Sequence, residues 1–81
     1  MHVTIRLFAR LRELAGASEL TRDVPDGATA IDAWYALTVE FPAMKDYGPS
    51  ISCAVNEEYA RLTAPLRDGD EVAFLPPVSG G

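Results

Sequence analysis

The carboxyl end of the sequence carries the residues best suited to chemistry. It reads Pro76-Pro77-Val78-Ser79-Gly80-Gly81. Because Gly80 and Gly81 lack a Cβ, they can pass through a narrow channel, and the terminal carboxylate stays open to attack. A free carboxylate is a poor electrophile. It must be activated, for instance as an acyl-adenylate, before a sulfur or nitrogen nucleophile can displace a leaving group. We therefore predict that the end of the chain is the functional group.

Activation has to come from another protein. The sequence contains no Gly-x-x-x-x-Gly-Lys phosphate-binding motif, and Lys45 is its single lysine. We expect this chain to bind no cofactor, and ATP and magnesium to be used by an activating partner. Residues 76–81 could extend roughly 20 Å, which is enough to enter a partner's active site. The alternative is that the terminal glycines are a frayed end with no function.

Charge and cysteine content narrow the classes of partner and site. The 81 residues include 12 Asp and Glu against 7 Lys and Arg, for a net charge of −5. Nucleic acid is therefore not an expected partner, since phosphate binding relies on clustered cations. No apolar run approaches the ~20 residues that cross a bilayer, so we expect no membrane contact and a cytoplasmic location. Cys53 is the only cysteine, in an apolar run, which predicts a buried structural thiol and no metal site.

The elements that must position the tail follow from local patterns. Alternation and β-branched content predict strands over 2–9, 18–24, 51–55, 59–62 and 72–75. A short helix is predicted over 10–15, before Gly16. A longer helix is predicted over 30–41, because Thr29 and Asp32 can form a capping pair and Pro42 ends the segment. Residues 43–50 are predicted to be a connecting loop.

This order predicts an α+β fold of the β-grasp type. About five strands form one mixed sheet packed against one main helix. The last strand is almost continuously apolar, which favours a central position, while the second strand is expected at an edge. We expect a single domain over 1–81, with an extended, flexible Gly-Gly tail over 76–81.

Three segments resemble a known family. They are the end of the chain from Asp68-Gly69-Asp70-Glu71-Val72 to Gly80-Gly81, the run Phe8-Ala9-Arg10-Leu11-Arg12-Glu13-Leu14-Ala15-Gly16, and Ala54-Val55-Asn56. Together they resemble the MoaD-like sulfur carriers, the ubiquitin-like small subunits of molybdopterin synthase. The resemblance implies that an E1-like adenylyltransferase activates Gly81 and that a sulfur donor protein supplies the sulfur of a thiocarboxylate. It also implies that the tail enters the large synthase subunit and gives sulfur to cyclic pyranopterin monophosphate. Molybdopterin, on the way to the molybdenum cofactor, would be the product, and the chain alone would be non-catalytic.

The resemblance also implies which residues meet the partners. The tail comprises Val78, Ser79, Gly80 and Gly81, and the expected partner-binding residues are Phe8, Arg12, Tyr59, Phe74, Leu75, Pro76 and Pro77. Leu75 departs from the family, whose members often carry an aromatic residue there. The alternative is that Phe8 and Leu75 are core residues and that Arg12 is a solvated helix residue.

Other functions remain open from the sequence. A sulfur carrier for thiamine thiazole or cysteine synthesis would have the same fold and the same Gly-Gly end. The lead Phe74-Leu75-Pro76-Pro77-Val78 favours the molybdopterin branch. A ubiquitin-like modifier would instead use the tail to form isopeptide bonds with lysines, and a plain interaction domain would carry an inert tail.

Overall fold

The computed structural model describes residues 1–77, so the predicted tail residues Val78, Ser79, Gly80 and Gly81 lie outside the described residues. Within 1–77 the chain forms five strands: β1 (His2–Leu7), β2 (Glu19–Asp23), β3 (Ser52–Val55), β4 (Glu58–Ala60) and β5 (Glu71–Leu75). It also forms two α-helices, α1 (Ala9–Ala15) and α2 (Ala30–Glu40), and a 3₁₀ helix over Pro42–Ser50.

The five strands form one mixed sheet in the order β2-β1-β5-β3-β4. Strand β5 is central, parallel to β1 and antiparallel to β3. The other two pairings, β1 with β2 and β3 with β4, are antiparallel. Strand β2 lies at an edge. The predicted β-grasp architecture, the central last strand and the edge position of the second strand are all confirmed.

Helix α2 begins at the predicted capping pair and covers one face of the sheet. The backbone N–H of Thr29 donates a hydrogen bond to Asp32 Oδ2 over 2.9 Å, which satisfies a donor at the helix start. The Trp34 ring packs at a tilt on Phe74, with the ring centroids 5.2 Å apart. Both rings belong to one hydrophobic core, whose other large, fully buried side chains include Ile5, Leu7, Leu11, Leu37, Met44 and Val72.

One predicted element type is wrong, and two predicted strands end two residues too late. The segment predicted to be a loop is the 3₁₀ helix, which Pro42 can start because its fixed φ suits a first helical position. Strand β1 ends at Leu7 rather than at residue 9, because Ala9 has a φ of +51° and turns the chain into α1. Strand β4 ends at Ala60, two residues before the predicted limit. Among residues 1–77, no helix combines the length and the apolar character needed to cross a membrane.

Candidate functional site

The sheet face opposite α2 carries a row of residues that crosses four strands. Arg6 on β1 lies opposite Ala73 on β5, Ala73 lies opposite Ala54 on β3, and Ala54 lies opposite Tyr59 on β4. Paired residues of neighbouring strands share one face, so these four side chains stand side by side. Because the two central residues are alanines, the middle of the row is recessed. The recess is a shallow concavity of about 190 Å³, which we call the sheet-face concavity.

Three residues of the predicted docking surface line this concavity. They are Phe8, which directly follows β1, Tyr59 on β4 and Leu75 at the end of β5. The exposed fraction is 81% for Tyr59 and 37% for Phe8, so both rings are available to a partner. Leu75 is half-buried. The alternative that Phe8 is a core residue is therefore wrong. The chain continues from Leu75 through Pro76, which is half-buried, and Pro77, which is exposed.

Arg6, the cationic residue that lines the concavity, contacts two other residues of the chain. The guanidinium carbon of Arg6 lies 5.5 Å from the centre of the Phe8 ring, within the range of a cation–π interaction. Its Nη1 lies 3.5 Å from Glu71 Oε1. Both side chains of this ion pair are partly exposed, so solvent screening keeps its contribution small. Arg6 nevertheless stands between Phe8 and Glu71, and this position limits its freedom to meet a partner's charge.

Asn56 fixes the turn between β3 and β4 to the start of β5. Its backbone N–H donates to the carbonyl oxygen of Glu71 over 2.8 Å, and its Oδ1 accepts from the Glu71 N–H over 3.0 Å. Its Nδ2 donates to Asp70 Oδ1 over 3.0 Å, while the backbone N–H of Arg67 donates to the other Asp70 oxygen over 2.8 Å. These two donors, Asn56 first, hold the pKa of the Asp70 carboxyl below its usual range. We call these contacts the Asn56 clamp.

Two predicted partner-binding residues lie elsewhere. The prediction that Phe74 meets a partner is wrong, because its side chain has no exposed surface and packs on Trp34. Side chains alternate along β5, so that Ala73 and Leu75 point outward and Phe74 points inward. Arg12 is exposed on α1, but it is not among the residues that line the concavity. The four tail residues from Val78 to Gly81 lie outside the part of the chain described.

Cys53 is buried, as its apolar strand predicts. Its Sγ lies 3.3 Å from the carbonyl oxygen of Ala60, to which the thiol donates a hydrogen bond. Burial raises the pKa of the Cys53 thiol, which disfavours the reactive thiolate. Across residues 1–77, no three His, Cys, Asp or Glu side chains come together in a way that could hold a metal ion.

Several residues of the concavity were not anticipated from the sequence. They are Arg6, Ala54 and Ala73. The sequence does indicate that Glu57 and Glu71 are turn carboxylates that could help to dock a basic partner face, and both line the concavity. Alternation alone could have placed Arg6 and Ala73 on the outer face of their own strands. It could not have placed them opposite each other, because the pairing of β1 with β5 joins segments more than sixty residues apart in the sequence.

Comparison with known proteins gives a consistent family. Residues 5–81 match the model of the ThiS family. The chain is 39% identical over 83 residues to the molybdopterin synthase sulfur carrier subunit of Chlamydomonas reinhardtii, and the alignment covers 100% of both chains. The crystal structure of small archaeal modifier protein 1 from Haloferax volcanii aligns over 100% of both chains, with a TM-score of 0.85 and 38% identity.

A third similar structure contains two proteins. It is the complex of subunits 1 and 2 of the molybdopterin-converting factor of Helicobacter pylori. The matched chain aligns over 100% of both chains, with a TM-score of 0.66 and 27% identity. A chain of this fold is thus found bound to another subunit in that protein.

Proposed function

Because this chain belongs to the ThiS family, we propose that it is the sulfur carrier subunit of a molybdopterin synthase. The observation that carries the proposal is the likeness to sulfur carrier subunits, which spans the whole chain and, in the algal relative, the whole of that protein. We assign the chemistry to Gly81, and the matches to the family model and to the algal subunit, which run through residue 81, support this assignment.

The proposed reaction runs in two stages. First, an adenylyltransferase transfers AMP from ATP, with magnesium, to the Gly81 carboxylate and releases pyrophosphate. Hydrosulfide delivered by a sulfur donor protein then attacks the acyl carbon, AMP leaves with the former carboxylate oxygen, and loss of the proton gives the thiocarboxylate. In the second stage this group gives its sulfur to cyclic pyranopterin monophosphate in the active site of the large subunit. The chain itself supplies the acyl group and the surface that aims it.

The position of the sheet-face concavity supports this division of labour. Strand β5 ends at Leu75, which lines the concavity, and the chain then leads directly into Pro76 and Pro77. Neither proline can donate to a sheet ladder, so the strand stops there. A partner that binds the exposed Phe8 and Tyr59 rings is therefore bound close to the point where the tail begins. The complex of the Helicobacter pylori relative supports a large subunit as that partner.

A second candidate function is protein modification. It is favoured by the likeness to small archaeal modifier protein 1. In that case an activated Gly81 would react with a lysine amine, and an isopeptide bond would form as AMP leaves. A sulfur carrier for thiamine thiazole or cysteine synthesis remains an alternative within the same family.

The test is molybdopterin formation by the reconstituted synthase. The chain, carrying a C-terminal thiocarboxylate, is combined with a molybdopterin synthase large subunit and cyclic pyranopterin monophosphate. We expect product from the full chain and none from a chain that lacks Gly81 or carries one residue after it. Both altered chains should unfold at the same temperature as the unaltered chain. Full activity of either one would contradict the assignment.

A further inference from the structure

The backbone is strained at points around the sheet-face concavity. Three non-glycine residues within 1–77 have a positive φ: Ala9 at +51°, Asn56 at +51° and Glu57 at +70°. All three are near the concavity, because Ala9 directly follows Phe8, and Glu57 is itself a lining residue. Left-handed backbone is unfavourable for most residues with a Cβ, and such residues concentrate at functional sites. The strained residues therefore coincide with the candidate site.

Glu57 occupies a position at which the backbone favours glycine. Asn56 and Glu57 form the two-residue turn between β3 and β4, and both have positive φ. Turns of this kind favour asparagine followed by glycine. Asn56 satisfies the first preference, and the Asn56 clamp holds the turn against β5. The chain carries a carboxylate where glycine would be unstrained.

The Glu57 carboxylate is available for a charge from outside the chain. It forms no ion pair with any other residue in the range 1–77. Arg6, the cation that lines the concavity, is already paired with Glu71 and lies over the Phe8 ring. The rest of the concavity is largely apolar, and it includes the exposed ring of Tyr59, two residues after Glu57 in the sequence. An apolar recess beside one free carboxylate is complementary to a side chain with an alkyl stem and a cationic head.

We propose that the sheet-face concavity receives an arginine or lysine side chain of the protein that takes up the end of this chain, with the stem against Tyr59 and the cation at the Glu57 carboxylate. The inference rests on the proposed function, since it assigns this contact to the large synthase subunit. Glu57 then selects partners by charge and sets the orientation of the docked surface. The cation that it meets steers association, so the contact should depend on salt.

The test compares Glu57 with its neighbour Glu58. Glu58 pairs with Val55, whose side chain packs against the core, so Glu58 projects from the sheet face away from Tyr59. The binding constants of the unaltered chain, Glu57→Gln and Glu58→Gln for a molybdopterin synthase large subunit are measured by calorimetry. Titrations are run at about 0.05 M and about 0.5 M sodium chloride, since the higher salt screens exposed charges.

At the lower salt we expect Glu57→Gln to bind the large subunit roughly fivefold more weakly than the unaltered chain does, and at the higher salt we expect a smaller difference. Glu58→Gln should bind within about twofold of the unaltered chain. Glu57→Gly, which removes both the charge and the strain, should bind as weakly as Glu57→Gln but unfold at a higher temperature. Unchanged binding of Glu57→Gln, equal weakening of Glu58→Gln, or a lower unfolding temperature of Glu57→Gly would overturn the inference. Failure of the unaltered chain to bind the large subunit would instead contradict the proposed function.

Discussion

Tyr59 and Phe74 show how the position of an aromatic residue in the sheet decides what it can do. Tyr59 lies on the edge strand β4 and is 81% exposed, whereas Phe74 lies on the central strand β5 and has no exposed surface. Both were predicted to meet a partner. The ring of Phe74 instead fills the space beneath Trp34, so its contribution is to the stability of the fold.

At the residue scale, Tyr59→Ala should separate binding from folding. Because the ring is exposed, the free energy of unfolding in urea should change by less than about 0.5 kcal/mol. Binding to the large subunit should weaken by about 2 kcal/mol, or roughly thirtyfold, if the ring is an interface anchor. Tyr35→Ala is the matched control, since Tyr35 is 60% exposed but lies on α2, which covers the opposite sheet face. Equal binding losses in the two variants would contradict the assignment of the sheet face.

At the scale of elements, the start of β5 is fastened to the β3–β4 turn by the Asn56 clamp. The clamp holds Glu57, which follows Asn56 in the turn, close to Glu71, and both residues line the sheet-face concavity. The carboxylate of Asp70 is the titratable side chain in these hydrogen bonds, since Glu71 and Arg67 take part through their backbones. It accepts hydrogen bonds from Asn56 and from the backbone of Arg67. The clamp should therefore weaken in acid.

The expected pH dependence follows from the lowered pKa of Asp70. A carboxyl whose pKa is lower in the folded state stabilises the fold above its ordinary pKa, and this contribution is lost as the pH falls through the folded value. Asp70→Asn should cost less than about 1 kcal/mol near neutral pH, because solvent screens these exposed hydrogen bonds, and the difference from the unaltered chain should shrink in acid. Urea unfolding measured between about pH 7 and about pH 3 tests this, with Asp46→Asn on the 3₁₀ helix as the control. A difference that grows in acid would be contrary to this account.

Local signals predicted most of the elements, but not the surface that they build. Gly16 ends α1 with a φ of +72°, and the pair Thr29 and Asp32 starts α2. Both helix ends could be predicted because they depend only on residues a few positions apart. The row from Arg6 to Tyr59 depends on strand register, which is set by contacts between distant segments. The strain at Glu57 could not be predicted either, since glutamate is not typical of a left-handed turn position.

At the scale of the whole molecule, one tail and one surface have to serve every partner. In the proposed function the activating enzyme and the large subunit both receive Gly81, and the sheet-face concavity lies where β5 ends at Leu75. We expect both proteins to use this face, so that each excludes the other. Under this proposal the chain would carry sulfur from one partner to the other without a catalytic group of its own.

The central claim is that Gly81 becomes a thiocarboxylate only with an activating enzyme. The most direct measurement is the intact mass of the chain after incubation with ATP, magnesium, an adenylyltransferase and a sulfur donor protein. We expect the mass to rise by the difference between one sulfur and one oxygen atom, with the change located at Gly81. The rise should be absent when the adenylyltransferase is omitted. It should be reversed when the large subunit and cyclic pyranopterin monophosphate are added. The claim would be contradicted by the same rise in mass without the adenylyltransferase, or by an unchanged mass of the chain when every component is present.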